Sequence, residues 1–146
     1  MDGMSAVREI NRFNGVGSSP VPQDSQAVFI VEDDEAARHS LATSLGALGY
    51  AAKTFESCEA FLEQAFNLGS GCLLLDYHFD GLSGIGLLDR LREANLYIPT
   101  VMFTGRFGAF LKKRVSDYPE VVAILDKPLD GRALLDALKQ ASSLIK

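Results

Sequence analysis

The 146-residue sequence is poor in cysteine, in long apolar runs and in basic charge. The spacing of its two cysteines, Cys58 and Cys72, fits neither a redox pair nor a zinc site, so we expect two reduced thiols. No apolar run approaches the ~20 residues that cross a bilayer, and the N-terminus lacks the apolar segment of a secretory signal. These absences predict a cytoplasmic protein without a membrane partner.

Basic charge is in deficit, because the formal net charge is −5 and the pI is about 5.0. Duplex phosphates attract a net basic surface, so this composition argues against direct nucleic-acid binding by the chain. The basic run from Lys112 to Arg114 is most simply a solvated helix face. The hydrophobic content of 47 % is enough to fill one core of ordinary size.

The chain divides into a short arm and one domain. Residues 1–25 contain glycine, serine and proline without sustained apolar periodicity, which predicts a flexible N-terminal arm outside the fold. Residues 26–146 alternate short apolar runs with segments of helical periodicity, the pattern of an α/β fold with a doubly wound five-stranded parallel sheet, (βα)5. The predicted strands are 27–31, 50–55, 72–75, 98–103 and 121–125, and the predicted helices are 35–48, 57–67, 84–94, 107–116 and a last one capped by Asp130.

Polar side chains follow the predicted strands, at the edge where open parallel sheets bind ligands. Carboxylates partly removed from water cost free energy unless they are paired or bound to metal. Several of them around one point favour Mg²⁺, which takes carboxylate oxygens and keeps several waters. The residues at the strand ends are Glu32, Asp33 and Asp34 after the first, Asp76 after the third, Thr104 and Gly105 after the fourth, and Asp126, Lys127 and Pro128 after the fifth.

A carboxylate beside Mg²⁺ can act as a nucleophile on a phosphoryl donor and form an aspartyl phosphate. Asp76, at the end of the third predicted strand, would be that nucleophile. The Lys127 ammonium would neutralise charge on the phosphoryl oxygens. The Thr104 hydroxyl can donate to another phosphoryl oxygen.

Four motifs in order resemble the receiver domain of bacterial two-component response regulators, from about Ala27 to the C-terminus. They are VFIVEDDEAAR, LLLDYHFDGLSGIGLL, VMFTG and LDKPL. The resemblance implies a flavodoxin-like fold and a phosphoprotein that receives its phosphoryl group from a sensor histidine kinase or a histidine phosphotransfer protein. It also implies a switch for phosphorelay signal transduction rather than a turnover enzyme, with a downstream protein partner and a homodimer among the assemblies it allows.

The resemblance also assigns roles to residues. Asp33 would ligate Mg²⁺ directly and Glu32 through water, while Asp76 would be both ligand and phospho-acceptor. The backbone carbonyl of His78 would be a further ligand. Thr104 and Lys127 would contact the phosphoryl group, and the peptide bond between Lys127 and Pro128 would be cis.

The sequence departs from the family pattern at two places. Phe79 and Asp80 stand where the family usually has Met-Pro after the acceptor, although Gly84 keeps its spacing. Ile124 stands where a Tyr or Phe usually moves together with the Thr of the site. The aromatic half of the usual output relay is therefore missing.

Three other functions stay open on the sequence. The chain could be a phosphorylation-independent protein-interaction module with a receiver fold, which the departures favour. It could be the N-terminal part of a longer DNA-binding regulator. It could also be a phosphatase with an aspartyl nucleophile, although such enzymes have a DxD pattern whose second Asp is here His78.

Overall fold

A computed structural model describes residues 26–77, 84–106 and 108–145. The predicted arm, residues 1–25, lies outside this part of the chain, as do His78, Phe79 and Asp80. The described residues form the strands β1 (Ala27–Val31), β2 (Ala51–Phe55), β3 (Cys72–Asp76), β4 (Thr100–Thr104) and β5 (Val121–Asp126) and the helices α1 (Glu35–Ala47), α2 (Cys58–Gln64), α3 (Gly84–Glu93), α4 (Gly108–Arg114) and α5 (Gly131–Ser142).

The five strands pair in parallel in the order β2-β1-β3-β4-β5, so the predicted fold class is confirmed. The chain steps outward from β1 to β2 and then crosses back to β3. The order therefore reverses between β1 and β3, and their carboxyl ends diverge around a crevice. Residues placed after β1 and β3 face each other across that crevice.

Side-chain caps begin three of the helices. Asp34, Ser57 and Asp130 each accept a hydrogen bond from a backbone N–H in the first turn, at 2.8, 3.0 and 3.0 Å. At the other end of α1, Gly49 adopts a positive φ of 95°, which a residue without a side chain tolerates. The predicted starts after Ser57 and Asp130 are confirmed.

Strand boundaries differ from prediction for local reasons. Tyr50 was expected to begin β2, but its N–H donates to the Leu45 carbonyl and closes the end of α1. Residues 98 and 99 were expected in β4, which begins only at Thr100 because Pro99 has no N–H for the sheet. The predicted second helix is split, since α2 ends at Gln64 and a 3-10 turn, Ala65–Asn67, follows.

The core has two layers, one on each face of the sheet. Alternate residues of β3 divide between them, so Leu73 and Leu75 pack on one face and Cys72 and Leu74 on the other. The first face is covered by α2, α3 and α4 and the second by α1 and α5. Both thiols are buried and neither is in a disulfide bond, as predicted from the cysteine spacing.

A polar network joins α3 to the loop that precedes β5. Arg92 donates to both carboxylate oxygens of Glu120, at 3.1 and 3.2 Å, and to the Asp117 carbonyl at 2.8 Å. Its guanidinium lies 4.4 Å from the ring centroid of Tyr118, whose hydroxyl donates to Asp89 at 2.6 Å. The segment just after α4 is thereby fixed to the neighbouring helix.

Candidate functional site

Three carboxylates meet at the crevice between β1 and β3. Glu32 follows β1 and Asp76 is the last residue of β3, so the two lie on neighbouring strand ends. One oxygen each from Glu32, Asp33 and Asp76 lie within 4.8 Å of one another. Glu32 and Asp76 are buried and Asp33 is exposed. A cation would therefore enter the site from solvent on the side of Asp33.

The backbone around Glu32 is held by its own neighbours. Glu32 Oε2 accepts from the Asp34 N–H at 3.1 Å. Arg38, one turn into α1, donates Nη1–H to the carbonyls of Glu32 at 2.9 Å and Asp33 at 3.4 Å. These contacts fix the turn that presents both carboxylates, and Arg38 belongs to the site as a positioning residue that the sequence reasoning did not assign.

Asp34 and Asp126, the other two strand-end aspartates, are not in the carboxylate group found among the described residues. Asp34 instead caps α1. An oxygen of Asp126 lies 2.7 Å from where a side chain at Gly108 would begin, against the start of α4. The sequence signal for the role of Asp34 was available, because Asp directly before a helical run is a preferred N-cap.

The pKa of Glu32 reflects its burial beside a second carboxylate. Burial is the main cause that raises the pKa of Glu32, to about 7, and the nearby negative charge of Asp76 adds to it. The hydrogen bond from the Asp34 N–H opposes this rise but does not cancel it. In the metal-free site Glu32 therefore keeps a proton to a higher pH than an exposed glutamate does.

We expect Glu32→Gln to stabilise the metal-free protein in a pH-dependent way. The folded pKa of about 7 lies above the reference value of 4.5, so ionised Glu32 destabilises the fold as pH rises through this window. At pH 8 the variant should be more stable than wild type by about 3 kcal/mol, and the gain should shrink to about 1 kcal/mol or less at pH 5. Urea unfolding in chelator at both pH values measures it.

Glu56→Gln, at an exposed side chain, is the matched control for this prediction and should change stability far less. A gain from Glu32→Gln that stayed the same at pH 5 and pH 8 would contradict the electrostatic origin of the effect.

Lys127 supplies the positive charge of the site. Its Nζ lies 3.0 Å from Asp76 Oδ1 and 5.3 Å from the centroid of the Phe103 ring. The Lys127 side chain is 40 % exposed and the Asp76 side chain 5 %, so an ammonium open to solvent faces a buried carboxylate. The peptide bond between Lys127 and Pro128 is cis, as the resemblance implied.

One oxygen of Asp76 lacks a hydrogen bond. Oδ1 is buried and accepts no hydrogen bond from the described residues, although the Lys127 ammonium forms an ion pair with it at 3.0 Å. The ion pair offsets part of the cost of burying this oxygen, and a hard cation beside it would lower that cost further. This buried oxygen and the all-carboxylate donor set fit Mg²⁺.

Thr104 ends the next strand and is fully buried. Asp76 pairs with Phe103 in the sheet, so Thr104 lies one residue beyond that partner. Its carbonyl accepts from the Lys127 N–H at 2.9 Å, which ties the ends of β4 and β5 together. Of the predicted site residues, the structure thus brings Glu32, Asp33, Asp76 and Lys127 together and sets Thr104 beside them, while His78 lies outside the described residues.

Ile124 occupies the position where the family pattern has an aromatic. It is partly buried, pairs with Met102 in the sheet and packs on the core. It lines a groove of about 350 Å³ between the end of α4 and β5, together with Lys112, Val115 and Tyr118. A branched aliphatic side chain here leaves open the space beside α4.

Comparisons with known proteins converge on one family. The family model described as the response regulator receiver domain matches residues 28–139. The chain is 32% identical over 115 residues to the transcriptional regulatory protein FixJ of Rhizobium meliloti, covering 79% of this chain and 56% of that protein. It is 30% identical over 126 residues to the transcriptional regulatory protein TdiR of Thauera aromatica, covering 83% and 53%.

Solved structures of response regulators are also similar to this chain. The crystal structure of FixJ-N superimposes with a TM-score of 0.73 at 30% identity, covering 84% of this chain and 97% of that one. The response regulator StyR gives a TM-score of 0.74 at 33% identity, covering 82% and 60%. The chain spans about half the length of the curated relatives it matches.

Proposed function

The chain belongs to the response regulator receiver domain family, and from that membership we propose that Asp76 accepts a phosphoryl group in a Mg²⁺-dependent reaction. The chain is a receiver domain of a two-component response regulator. The observation that carries the proposal is the state of Asp76, a buried carboxylate beside an ammonium, with one oxygen that no described residue hydrogen-bonds.

In the proposed reaction a carboxylate oxygen of Asp76 attacks the phosphorus of the donor. A new O–P bond forms as the N–P bond of a phosphohistidine, or the O–P bond of a small acyl phosphate, breaks and its electron pair leaves with the donor group. The Lys127 ammonium is 3.0 Å from Asp76 Oδ1. As the carboxylate is esterified and loses its charge, the ammonium pairs instead with a phosphoryl oxygen. The Thr104 hydroxyl donates to a second phosphoryl oxygen.

Glu32, Asp33 and Asp76 are the residues that would hold Mg²⁺. When bound, the ion neutralises negative charge on the carboxylates and on the transferring phosphoryl oxygens. The chain's own part is to hold Asp76 in place, to keep Glu32 buried, and to leave Asp33 open to solvent as the entry side. The His78 carbonyl is proposed as a further ligand on the resemblance alone.

The partner on the input side is a sensor histidine kinase or a histidine phosphotransfer protein. The chain acts as a switch and not as a turnover enzyme, in the cytoplasm, with residues 26–146 as the receiver domain. None of the described helices is long and apolar enough to pass through a membrane. Homodimerisation and contact with a downstream protein are the proposed outputs.

A second candidate function is that of one domain in a longer DNA-binding regulator. Relatives such as FixJ and TdiR are titled transcriptional regulatory proteins and are about twice as long as the matched region. The chain is then the N-terminal, phosphorylated part of a longer DNA-binding regulator. A phosphorylation-independent interaction module stays an alternative because of Ile124, and it predicts partner binding that is unchanged by Asp76→Asn.

The test of the proposed function is phosphotransfer with and without Mg²⁺. Wild-type protein incubated with acetyl phosphate and Mg²⁺ should gain one phosphoryl group in intact mass, and chelator should prevent the gain. Borohydride reduction of the acyl phosphate followed by peptide mapping should find the modified residue at position 76. Modification that persists in chelator, or that maps elsewhere, would refute the proposal.

A further inference from the structure

The two charged groups of the site, Asp76 and Lys127, are separated by one strand of the sheet. Asp76 ends β3 and Lys127 follows β5, and β4 lies between these strands. Neighbouring strands are about 4.8 Å apart, which places the two backbones ~10 Å from each other. The Lys127 side chain must therefore cross β4 to bring its ammonium within 3.0 Å of Asp76 Oδ1.

The register of the sheet identifies the side chain that Lys127 crosses. Phe103 of β4 pairs with Asp76 on one side and with Leu125 on the other. Phe103 and Leu125 pack in the core layer that α1 and α5 cover. Residues two apart on one strand point to the same face, so Lys127 leaves the sheet on the face of Leu125. Phe103 is thus the residue of β4 that lies below the lysine side chain.

The ring of Phe103 makes a cation–π contact with the ammonium. Lys127 Nζ lies over the ring, 5.3 Å from its centroid, within the ~6 Å at which the negative face of an aromatic ring attracts a cation. Phe103 is only 2% exposed, so packing fixes its ring. The Lys127 side chain is 40% exposed and has a flexible four-carbon stem. A fixed aromatic face therefore lies below a flexible cation.

Packing alone does not call for an aromatic ring at position 103. The other buried residues described in this core layer are aliphatic side chains and one cysteine, Cys72. A leucine could fill the same layer, but it has no negative face to attract an ammonium. The aromatic character of Phe103 therefore points to its contact with Lys127.

We propose that Phe103 is a positioning residue for phosphoryl transfer, whose ring holds the Lys127 ammonium beside Asp76. The inference rests on the proposed function of Asp76. Without the ring, the half-exposed lysine side chain would spend more time in solvent, and its charge would have to be brought back for each transfer. Charge that is already in place needs no reorganisation in the transition state, so the ring speeds the reaction without touching the phosphoryl group.

Fluorination of the ring tests the proposal while packing is kept. Trifluorophenylalanine at position 103 has nearly the shape of phenylalanine, but its fluorines withdraw negative charge from the ring face. The initial rate of phosphorylation with acetyl phosphate and Mg²⁺ should fall about threefold, the size expected for loss of such a contact. The same residue at position 61, where a fully buried phenylalanine packs in the other core layer, is the matched control and should leave the rate unchanged.

A second measurement reports on the contact without any phosphoryl donor. In the metal-free protein, the ε-methylene protons of Lys127 should resonate upfield of those of the exposed Lys112 and Lys113, because an aromatic face shields protons above it. Phe103→Leu should remove this upfield shift and lower the phosphorylation rate at least as much as fluorination does.

The outcomes separate the role of the ring from the role of Asp76. If wild type is phosphorylated and fluorination at position 103 leaves the rate unchanged, the positioning role is overturned. Equal losses at positions 103 and 61 would also overturn it, because the effect would then come from general packing, and so would the absence of an upfield shift in wild type. Wild type that takes up no phosphoryl group would refute the proposed function itself, and the role of Phe103 with it.

Discussion

Asp76→Asn should abolish phosphoryl acceptance. The amide oxygen is a poor nucleophile, and the amide cannot form the acyl phosphate, so the initial rate with acetyl phosphate and Mg²⁺ should fall by at least about 10³-fold, to background. The fold should persist, because an Asn at 76 keeps the shape of the side chain and removes one negative charge from beside Glu32. Intact mass with time measures the rate, and circular dichroism checks the fold.

The matched control for this substitution is Asp126→Asn. Asp126 also ends a strand at the same edge, but its carboxylate lies against Gly108 and not in the carboxylate group. The control should keep most of the phosphorylation rate. If Asp126→Asn lost the rate and Asp76→Asn kept it, the acceptor would have to be sought at β5.

Asp33→Asn should weaken Mg²⁺ binding on the order of tenfold or more, a change of about 1.4 kcal/mol. Asp33 contributes one of the three carboxylate oxygens that lie within 4.8 Å of one another, on the exposed side of the group. Replacing it by an amide removes one charge from the donor set and leaves the buried pair Glu32 and Asp76. Titration calorimetry with Mg²⁺ at constant ionic strength gives the affinity directly.

Asp34→Asn is the control for Mg²⁺ binding. It changes the charge of the chain equally and one position away, and Asn caps helices about as well as Asp, so α1 should be retained. Its Mg²⁺ affinity should stay near that of wild type. Equal losses in the two variants would mean that the ion responds to overall charge and not to a site built around Asp33.

The sequence predicted the parts of the fold and site that depend on periodicity and strand ends. The apolar run Cys72 to Leu75 predicted a strand covered on both faces, and it forms the central β3, whose residues are all buried. The carboxyl ends of parallel strands lie at one edge of a sheet, so carboxylates that follow two such strands were expected to lie close together. The structure brings Glu32, Asp33 and Asp76 together there. The chemical roles of these residues stay predictions.

Other features depend on contacts that the pattern does not contain. Arg38 binds two backbone carbonyls six and five residues before it, a contact set by the direction in which α1 leaves its cap. The start of β4 moved from residue 98 to Thr100, because Pro99 has no N–H for the sheet and the Thr100 hydroxyl turns back to the Ile98 carbonyl. The groove beside Ile124 arises from packing between α4 and β5, which no single segment encodes.

The network around Arg92 constrains how a signal can leave the site. It fastens the loop after α4 to α3 through Glu120, Asp117 and Tyr118, whereas the beginning of α4 adjoins the strand ends that hold Thr104 and Lys127. The end of α4 is thus tied to α3, whereas its start lies against Asp126 at the strand ends. If Asp76 is phosphorylated as proposed, we expect any displacement of α4 to be a tilt about the tied end, greatest near Gly108 and smallest near Val115.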